Sequence, residues 1–332
     1  MRPRSLRLRA LTALAGSVLA AATIVIPART GGEAAVARQT PGPILFGTSV
    51  ASAAELSGYE SLAGKKIVGY RIYRIWGQRF FASWQLTARD SRHIPFLSLK
   101  ARRSGGPISF SAIAGARPGS ALYADMLEQA RQLKAYGGPV YFIFNHEVDA
   151  TPSASSGGAA AFIAAWRKLR QVYQAQGATN VRWVWTLTAW AFTTGAAAAY
   201  YPGDAYVDGI AADGYNWYTC RSGGGSWQSF ATVFDGERRF GLAHPTEKLM
   251  IMEFGSTEDP LRPGRKAAWF DAARETLRSP DWAQFSVVLS WNGRNDPNRR
   301  TGCLFDLASS ASATSAWVSM RDDWFMSTWR VQ

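Results

Sequence analysis

Residues 140–147 read Val-Tyr-Phe-Ile-Phe-Asn-His-Glu: five consecutive apolar or aromatic residues and then three polar ones. Consecutive rather than alternating apolar residues are typical of a strand buried on both faces, as in a parallel sheet covered by helices. A carboxylate directly after such a strand is costly to desolvate, so it usually has a charge partner or a chemical task. The stretch therefore predicts a parallel sheet with Glu147 at a functional edge.

Seven further apolar runs lie on either side of this stretch, separated by segments with helical spacing or by glycine and proline turns. Eight strand–helix units in fewer than 300 residues favour an α/β fold of the (β/α)8 TIM-barrel type, in a single domain, over an open doubly wound sheet. An open sheet would also need a glycine-rich phosphate turn after an early strand, which is missing here. The predicted strands lie near Ile44–Val50, Ile67–Ile75, Ile94–Leu99, Val140–Asn145, Val181–Thr188, Gly209–Tyr215, Leu249–Phe254 and Phe285–Trp291.

Apolar residues spaced three and four apart predict the helices between the strands. One stripe runs from Leu122 to Leu133, a second from Phe162 to Tyr173 and a third from Phe270 to Leu277. A last stripe, from Trp317 to Trp324, predicts a helix that closes the ring.

The N-terminus predicts an export signal over residues 1–37, ahead of a barrel domain over residues 38–332. Four arginines in the first nine residues precede a mostly apolar run, Ala10–Ile26, and the triplet Ala35-Val36-Ala37 supplies a cleavage site. The alternative is an uncleaved anchor at the cell surface, because the run is close to membrane-spanning length. We therefore expect a secreted protein with no stable membrane contact after cleavage.

Cleavage would lower the formal net charge from +13 to +9, so the protein stays basic, which favours anionic partners. Its positive residues are dispersed or in short pairs, so we predict no nucleic-acid binding. With three histidines in all, we predict no metal site and no cofactor, and we expect a monomer. Cys220 and Cys303 are predicted to form one disulfide, two buried thiols being the alternative.

Two strand ends carry a glutamate, and in a barrel the carboxyl ends of all strands meet at one mouth. Glu147 follows the fourth strand and Glu253 the seventh. Retaining glycoside hydrolysis needs such a pair: one carboxyl group cycles as general acid and base while the other attacks the anomeric carbon. The alternative is that an arginine holds each glutamate in a structural ion pair. A zinc-protease helix and a nucleophile elbow are excluded, because their motifs are incomplete or missing.

Large aromatic residues near other strand ends favour a sugar site, because the faces of sugars pack on aromatic rings. Trp217 and Trp291 follow the sixth and eighth strands, and Trp190 follows the fifth. Trp183 and Trp185 lie inside the fifth strand and are predicted to pack in the core.

Several of these motifs, in this order, resemble glycoside hydrolase family 26 over residues 43–300. The resemblance implies a β-mannanase-like, retaining endo-β-glycosidase on a (β/α)8 barrel, acting on a polysaccharide. The motifs that carry it are Asn145-His146-Glu147, Trp183-Val184-Trp185, Tyr201-Pro202-Gly203-Asp204, Asp213-Gly214-Tyr215-Asn216-Trp217, Glu253-Phe254-Gly255 and Trp291.

The resemblance also implies the role of each residue. Glu147 would be the acid/base and Glu253 the nucleophile, with His146 orienting the acid/base or the substrate. Tyr215 would hydrogen-bond the nucleophile, and Trp291 would form the floor under the sugar that is cleaved.

The substrate-contacting rim departs from the family pattern. Mannanases of the family tend to carry Trp-His at the end of the third strand, where this chain has Leu97-Ser98-Leu99-Lys100. Lys100, with Arg102 and Arg103 close behind, favours an acidic or substituted polysaccharide, unless these side chains point away from the mouth. The second functional hypothesis is a non-catalytic carbohydrate-binding barrel: the altered rim argues for it and the presence of both glutamates against it.

Overall fold

The eight predicted strands all form and close into one parallel barrel. The computed structural model of the chain describes residues 40–150, 156–218, 220, 225–293 and 303–327, which lie in the unit Arg38–Gln332. Each strand pairs with its sequence neighbours, and the first pairs with the last to close the ring. The predicted (β/α)8 fold is confirmed. The strands are β1 Leu45–Ser49, β2 Gly69–Ile75, β3 Ile94–Lys100, β4 Val140–Phe144, β5 Val181–Thr188, β6 Gly209–Asn216, β7 Leu249–Ser256 and β8 Phe285–Ser290.

Helices cover the outside of this barrel. The described helices are α1 Ala53–Ala63, α2 Ser83–Asp90, α3 Phe110–Ala114, α4 Ala121–Tyr136, α5 Ala159–Ala175, α6 Ala189–Thr194, α7 Ala197–Tyr200, α8 Phe230–Leu242, α9 Arg265–Arg278, α10 Ala311–Asp322 and α11 Trp324–Ser327. Three predicted stripes become α4, α5 and α9. The last predicted helix is α10, which ends before Trp324, where α11 begins. In the part of the chain that is described, none of the helices combines the length and apolarity needed to cross a membrane.

Local sequence signals set the ends of several helices. Ser52 and Ser120 accept backbone N–H groups at the start of α1 and α4. Gly64 and Gly137 end the same two helices with φ values of 63° and 73°, a left-handed conformation that favours glycine. The predicted export signal, residues 1–37, lies outside the described residues.

Apolar side chains form two layers, one inside the ring of strands and one between the strands and the helices. Trp183 and Trp185 pack in the outer layer, as predicted from their positions inside β5. Gly47 lies where a Cβ atom would come within 2.4 Å of the backbone oxygen of Gly69, so this close approach requires glycine. The inner layer comprises Leu45, Ile94, Phe96, Ile143, Val184, Ala211, Met250, Met252, Val287 and Leu289.

A small antiparallel hairpin follows β3, with Arg102–Arg103 paired to Gly106–Pro107. It joins the barrel at the end of β2, where the Trp76 N–H donates to the Arg102 carbonyl at 2.7 Å. Arg102 and Arg103, two of the predicted basic residues of the rim, therefore lie on this hairpin.

Candidate active site

Three acidic side chains converge at the carboxyl ends of the strands. Glu253 lies in β7, Asp213 in β6, and Glu147 three residues beyond the end of β4. One carboxylate oxygen from each residue lies within 4.8 Å of the other two. The two glutamates that follow apolar runs in the sequence are thus brought together in one mouth.

A strained turn presents Glu147. Asn145 and Glu147 have φ values of 49° and 54°, a conformation that is uncommon outside glycine. Their N–H groups donate to the carbonyls of Leu99 (2.8 Å) and Thr186 (3.1 Å) in the neighbouring strands β3 and β5. The side-chain oxygen of Asn145 also accepts from the Ala101 N–H at 3.0 Å. The barrel therefore holds Glu147 in a backbone conformation that a glutamate disfavours, as is common at functional sites.

The carboxyl group of Glu147 has a pKa raised to about 7. Burial is the largest cause, and the negative charge of Glu253 adds to it, whereas the positive charges of Lys100 and Arg71 oppose it. A carboxyl group with this pKa can hold or release a proton near neutral pH, which is what general acid/base catalysis needs.

Glu253 lies among hydrogen-bond donors and is only 6% exposed. The Tyr73 hydroxyl donates to one of its carboxylate oxygens at 2.6 Å, and the Tyr215 hydroxyl donates to the other. Arg71 Nη1 lies 3.0 Å from the oxygen that Tyr73 contacts. Charge-assisted hydrogen bonds of this kind stabilise an anion in a site from which water is largely excluded.

Arg71 is fully buried and lies between two carboxylates. It donates to both oxygens of Asp213, at 2.8 and 3.3 Å, and its Nε donates to the Ser98 hydroxyl at 3.0 Å. Glu253 thus has the arginine contact that the structural alternative required, but Asp213 takes the bidentate contact. Arg71 therefore interacts with both Asp213 and Glu253, and Glu253 also accepts hydrogen bonds from the two tyrosines.

The predicted disulfide between Cys220 and Cys303 is present in the structure, and it packs against Phe305. We call Cys220, Cys303 and Phe305 the disulfide cluster. The segment that carries Cys303 and Phe305 is held by Lys266 of α9, whose Nζ donates to the Leu304 carbonyl at 2.9 Å.

Tyr215, Trp217 and Trp291 all pack against the disulfide cluster. The ring of Tyr73 lies edge-on to Trp291, at 6.0 Å between centroids, and to His146, at 5.5 Å. The structure therefore brings the predicted residues Tyr215, Trp217, Trp291 and His146 around Glu253 in one aromatic wall.

His146 precedes Glu147 in the turn, and Lys100 contacts the same turn. Burial lowers the pKa of the His146 imidazole well below its usual value, and the charges of Lys100 and Arg71 lower it further, so the ring is neutral. Lys100 Nζ donates to the backbone carbonyl of His146 at 2.6 Å. The Lys100 side chain is therefore turned towards the Glu147 turn.

Trp190 lies apart from these residues. It is 72% exposed on α6, and within the described part of the chain it makes none of the ring contacts that link the other aromatic side chains. Its helix is capped by Thr188, whose N–H donates to Asp149 at 3.0 Å, so Trp190 stays tied to the loop after Glu147. On the hairpin, Arg103 forms an ion pair with Asp125, whereas Arg102 is exposed.

Sequence reasoning missed Arg71 and Tyr73, which both lie on β2. Their alternation along the strand places them on the same face, directed at Glu253. The available signal was Arg71 itself, since a charged residue inside an apolar strand needs a buried partner. No motif of the family resemblance covers this strand.

The closed barrel and its two converging glutamates form the arrangement that glycoside hydrolysis requires. Comparison with known proteins agrees with this arrangement. Residues 121–275, which include Glu147, Asp213 and Glu253, match the family model described as glycosyl hydrolase family 26. Over these residues the chain is similar to this family, as its motifs indicate.

Similar proteins include one curated relative and a set of solved structures. Endoglucanase H of Acetivibrio thermocellus is 35% identical over 164 residues, which are 47% of this chain but 18% of that protein. The chain thus spans less than a fifth of the length of this relative. A modular endo-β-1,4-mannanase from Cellulomonas fimi matches with a TM-score of 0.62 at 15% identity, covering 85% of this chain and 71% of the other. The catalytic domain of a Bacillus sp. JAMB-750 endo-β-1,4-mannanase matches with a TM-score of 0.60 at 16% identity, covering 85% and 86%.

Proposed function

We propose that the chain is a secreted, retaining endo-β-glycosidase that cleaves a β-linked polysaccharide by double displacement. The observation that carries this proposal is the approach of Glu147 and Glu253, whose carboxylate oxygens lie within 4.8 Å. Retaining enzymes hold their two carboxyl groups about 5 to 5.5 Å apart, whereas inverting enzymes need roughly 6.5 to 9.5 Å to admit a water molecule. The short separation supports retention.

In the first step, a carboxylate oxygen of Glu253 attacks the anomeric carbon, and the bond from that carbon to the glycosidic oxygen breaks. Glu147 gives its proton to the departing oxygen, which leaves as the free end of the shortened polymer. The pKa of about 7 supports this role, because Glu147 is still largely protonated just below neutral pH.

In the second step, Glu147 acts as a base and takes a proton from a water molecule. The water oxygen attacks the anomeric carbon, the ester bond to Glu253 breaks, and the sugar is released with its original configuration. Arg71 and the hydroxyls of Tyr73 and Tyr215 then again surround a free Glu253 carboxylate.

The aromatic residues supply the surfaces for the sugar. We assign Trp291 to the floor under the sugar that is cleaved, because it lies edge-on to Tyr73 and packs, like Tyr215, against the disulfide cluster, and both tyrosines donate to Glu253. Trp217 extends this surface along the disulfide cluster, and His146 contributes a neutral ring beside the acid/base. Trp190, with its exposed ring, is proposed to contact a more distant sugar of the polymer.

The substrate is proposed to be a neutral β-1,4-linked glycan. The relatives are named as an endoglucanase and endo-β-1,4-mannanases, which favours a glucan or a mannan. An acidic glycan is less well supported, because Lys100 donates to a backbone carbonyl and Arg103 pairs with Asp125. Of Lys100, Arg102 and Arg103, only Arg102 is exposed, and it lies on the hairpin.

A panel of polysaccharides tests the proposal. We expect new reducing ends from β-1,4-mannan or a β-glucan, less release from uronate-bearing glycans, and β-anomers as the first products in proton NMR. First products of the α configuration would establish inversion. Binding without product release from every glycan would instead establish the non-catalytic barrel.

Export is a separate part of the proposal. It is supported by the arginine-led apolar N-terminus and by the Cys220–Cys303 disulfide, since disulfides persist in oxidising compartments. N-terminal sequencing of the protein from the culture medium is expected to start at residue 38. Recovery of the full chain in the membrane fraction would establish the anchored alternative.

A further inference from the structure

Lys100 contacts the turn that presents Glu147. It is the last residue of β3, and its Nζ donates to the His146 carbonyl at 2.6 Å. That carbonyl belongs to the peptide bond between His146 and Glu147. The ammonium group therefore contacts the backbone one bond away from the residue that acts as acid/base in the proposed function.

In the described part of the chain, three hydrogen bonds join the end of β3 to the turn, and the bond from the Lys100 ammonium group is one of them. The Leu99 carbonyl accepts from the Asn145 N–H at 2.8 Å, and the Ala101 N–H donates to the Asn145 side chain at 3.0 Å. Those two bonds fix Asn145, whereas the bond from Lys100 orients the next peptide. This peptide leads into Glu147, whose φ of 54° is disfavoured for a glutamate, and the bond from Lys100 keeps its direction.

We propose that Lys100 is a positioning residue for Glu147: its ammonium group holds the 146–147 peptide and keeps a positive charge beside the Glu147 carboxyl group. The inference rests on the proposed function, in which Glu147 donates and accepts the proton. It assigns a purpose to the residue at which this chain departs from the family pattern.

Two cations face Glu147, and they are not equivalent. Arg71 is bound to both oxygens of Asp213 and lies 3.0 Å from Glu253, so its charge is directed at those acids. Lys100 is the cation that is hydrogen-bonded to the turn itself. The charged groups that act on Glu147 are Glu253, Lys100, Arg71 and Asp149, and those that act on Lys100 are Glu147, Asp213, Arg71 and Glu253.

The electrostatic consequence has a definite sign. Burial and Glu253 raise the pKa of Glu147, whereas Lys100 opposes them, so the value of about 7 includes the effect of the ammonium group. Without this cation, the carboxylate form loses a stabilising neighbour and the pKa rises. A bond to the backbone alone, without this charge effect, would leave the pKa where it is.

The test compares Lys100→Met, which removes the charge, with Lys100→Arg, which keeps it. The readout is the pH profile of kcat/KM, on the polysaccharide that the panel selects and on 2,4-dinitrophenyl β-cellobioside and β-mannobioside. We expect Lys100→Met to lower kcat on the polysaccharide roughly 10- to 100-fold and to move the basic limb upwards by about one pH unit. Lys100→Arg should keep the limb within a few tenths of a unit of its original position.

The activated substrates separate the role of the acid from general damage. Their leaving groups need little protonation, so the deficit of Lys100→Met in kcat/KM, which reports the first step, should shrink on them if Glu147 is misplaced as the acid. Lys65→Met, which removes an exposed lysine that pairs with Asp322, is the matched control and should leave the profile unchanged. Thermal unfolding monitored by circular dichroism verifies that each variant is folded.

Three outcomes would overturn the inference. In the first, a folded Lys100→Met variant keeps the original basic limb; in the second, its deficit is equal on all substrates. In the third, only KM for uronate-bearing glycans rises, which would make Lys100 a substrate anchor instead. Failure of the proposed function itself looks different, because Glu147→Gln would then retain activity on the polysaccharide.

Discussion

The two glutamates at the mouth of the barrel have very different surroundings. Glu253 lies in a regular strand, where two tyrosine hydroxyls donate to its oxygens and Arg71 lies 3.0 Å away. Glu147 lies on a turn with left-handed backbone conformations, in surroundings that raise its pKa to about 7. Both side chains are shielded from solvent, but Glu253 is surrounded by donors, whereas burial is the largest influence on the pKa of Glu147.

The difference indicates how two glutamates in one pocket can have two different chemical roles. A carboxylate surrounded by donors stays available as an anion that attacks carbon, whereas a desolvated carboxyl group keeps its proton until a leaving group needs it. The backbone contributes to this division, because the strand fixes Glu253 rigidly and the turn places Glu147 on the other side of the pocket. The following substitutions test whether the two environments, rather than the mere presence of two acids, make the enzyme.

The largest effect is expected for Glu253→Gln, which removes the attacking oxygen while keeping the shape of the side chain. Turnover of the polysaccharide should fall more than roughly 10⁴-fold, because no covalent intermediate can form. Initial rates of reducing-end release measure the loss, and an unchanged melting temperature shows that the fold persists. A folded variant with activity close to that of the wild type would contradict the assignment of the nucleophile.

A smaller and substrate-dependent loss is expected for Glu147→Gln. Polysaccharide hydrolysis should fall by roughly 10²- to 10⁴-fold, because the leaving oxygen lacks a proton donor. Formation of the glycosyl intermediate from a 2,4-dinitrophenyl glycoside should be nearly normal, so a burst of dinitrophenol followed by a slow phase is expected in stopped-flow measurements.

The pH profile provides the control for this variant. In the wild type, kcat/KM should decrease as the pH rises through about 7, because Glu147 loses the proton that it must donate. In Glu147→Gln this basic limb should disappear. A limb that persists in the variant would assign the titration to another group.

The smallest effect is expected for the two tyrosines that donate to Glu253, the proposed nucleophile. Tyr73→Phe and Tyr215→Phe each remove one donor to Glu253, and a hydrogen bond to a charged group contributes about 1.5 to 3 kcal/mol, or roughly 10- to 150-fold in rate. Both variants should lower kcat more than they raise KM. If Tyr215→Phe lowers the rate and Tyr73→Phe does not, the rate depends on the hydrogen bond from Tyr215 alone and not on a donor at each carboxylate oxygen of Glu253.

The sequence was sufficient for the barrel because the fold depends on local patterns. Strands buried on both faces appear as consecutive apolar residues, and a glutamate directly after such a run marks the mouth in β4 and β7. The same reasoning located Trp217 and Trp291 correctly at strand ends, and it placed Trp183 and Trp185 in the core.

What could not be predicted depends on contacts between distant parts of the chain. Arg71 and Asp213 are separated by 142 residues, and no local feature of either strand indicates that the other residue is its partner. The left-handed conformation of Glu147 is accompanied by a bond to β5, at Thr186, and is not a preference of glutamate itself. The direction of Lys100 was equally hidden, since a lysine at a strand end can face the mouth or the backbone.

The disulfide cluster connects the redox conditions around the protein to Glu253, the proposed nucleophile. Phe305 lies between the Cys220–Cys303 bond and Tyr215, at 5.0 Å from the tyrosine ring, and Tyr215 donates to Glu253. Because a disulfide is maintained only where thiols are oxidised, the covalent support behind Tyr215 depends on the compartment as well as on the sequence. A chain kept under reducing conditions would carry both glutamates yet lack this covalent support behind Tyr215. In the proposed function, hydrolysis would therefore depend on export.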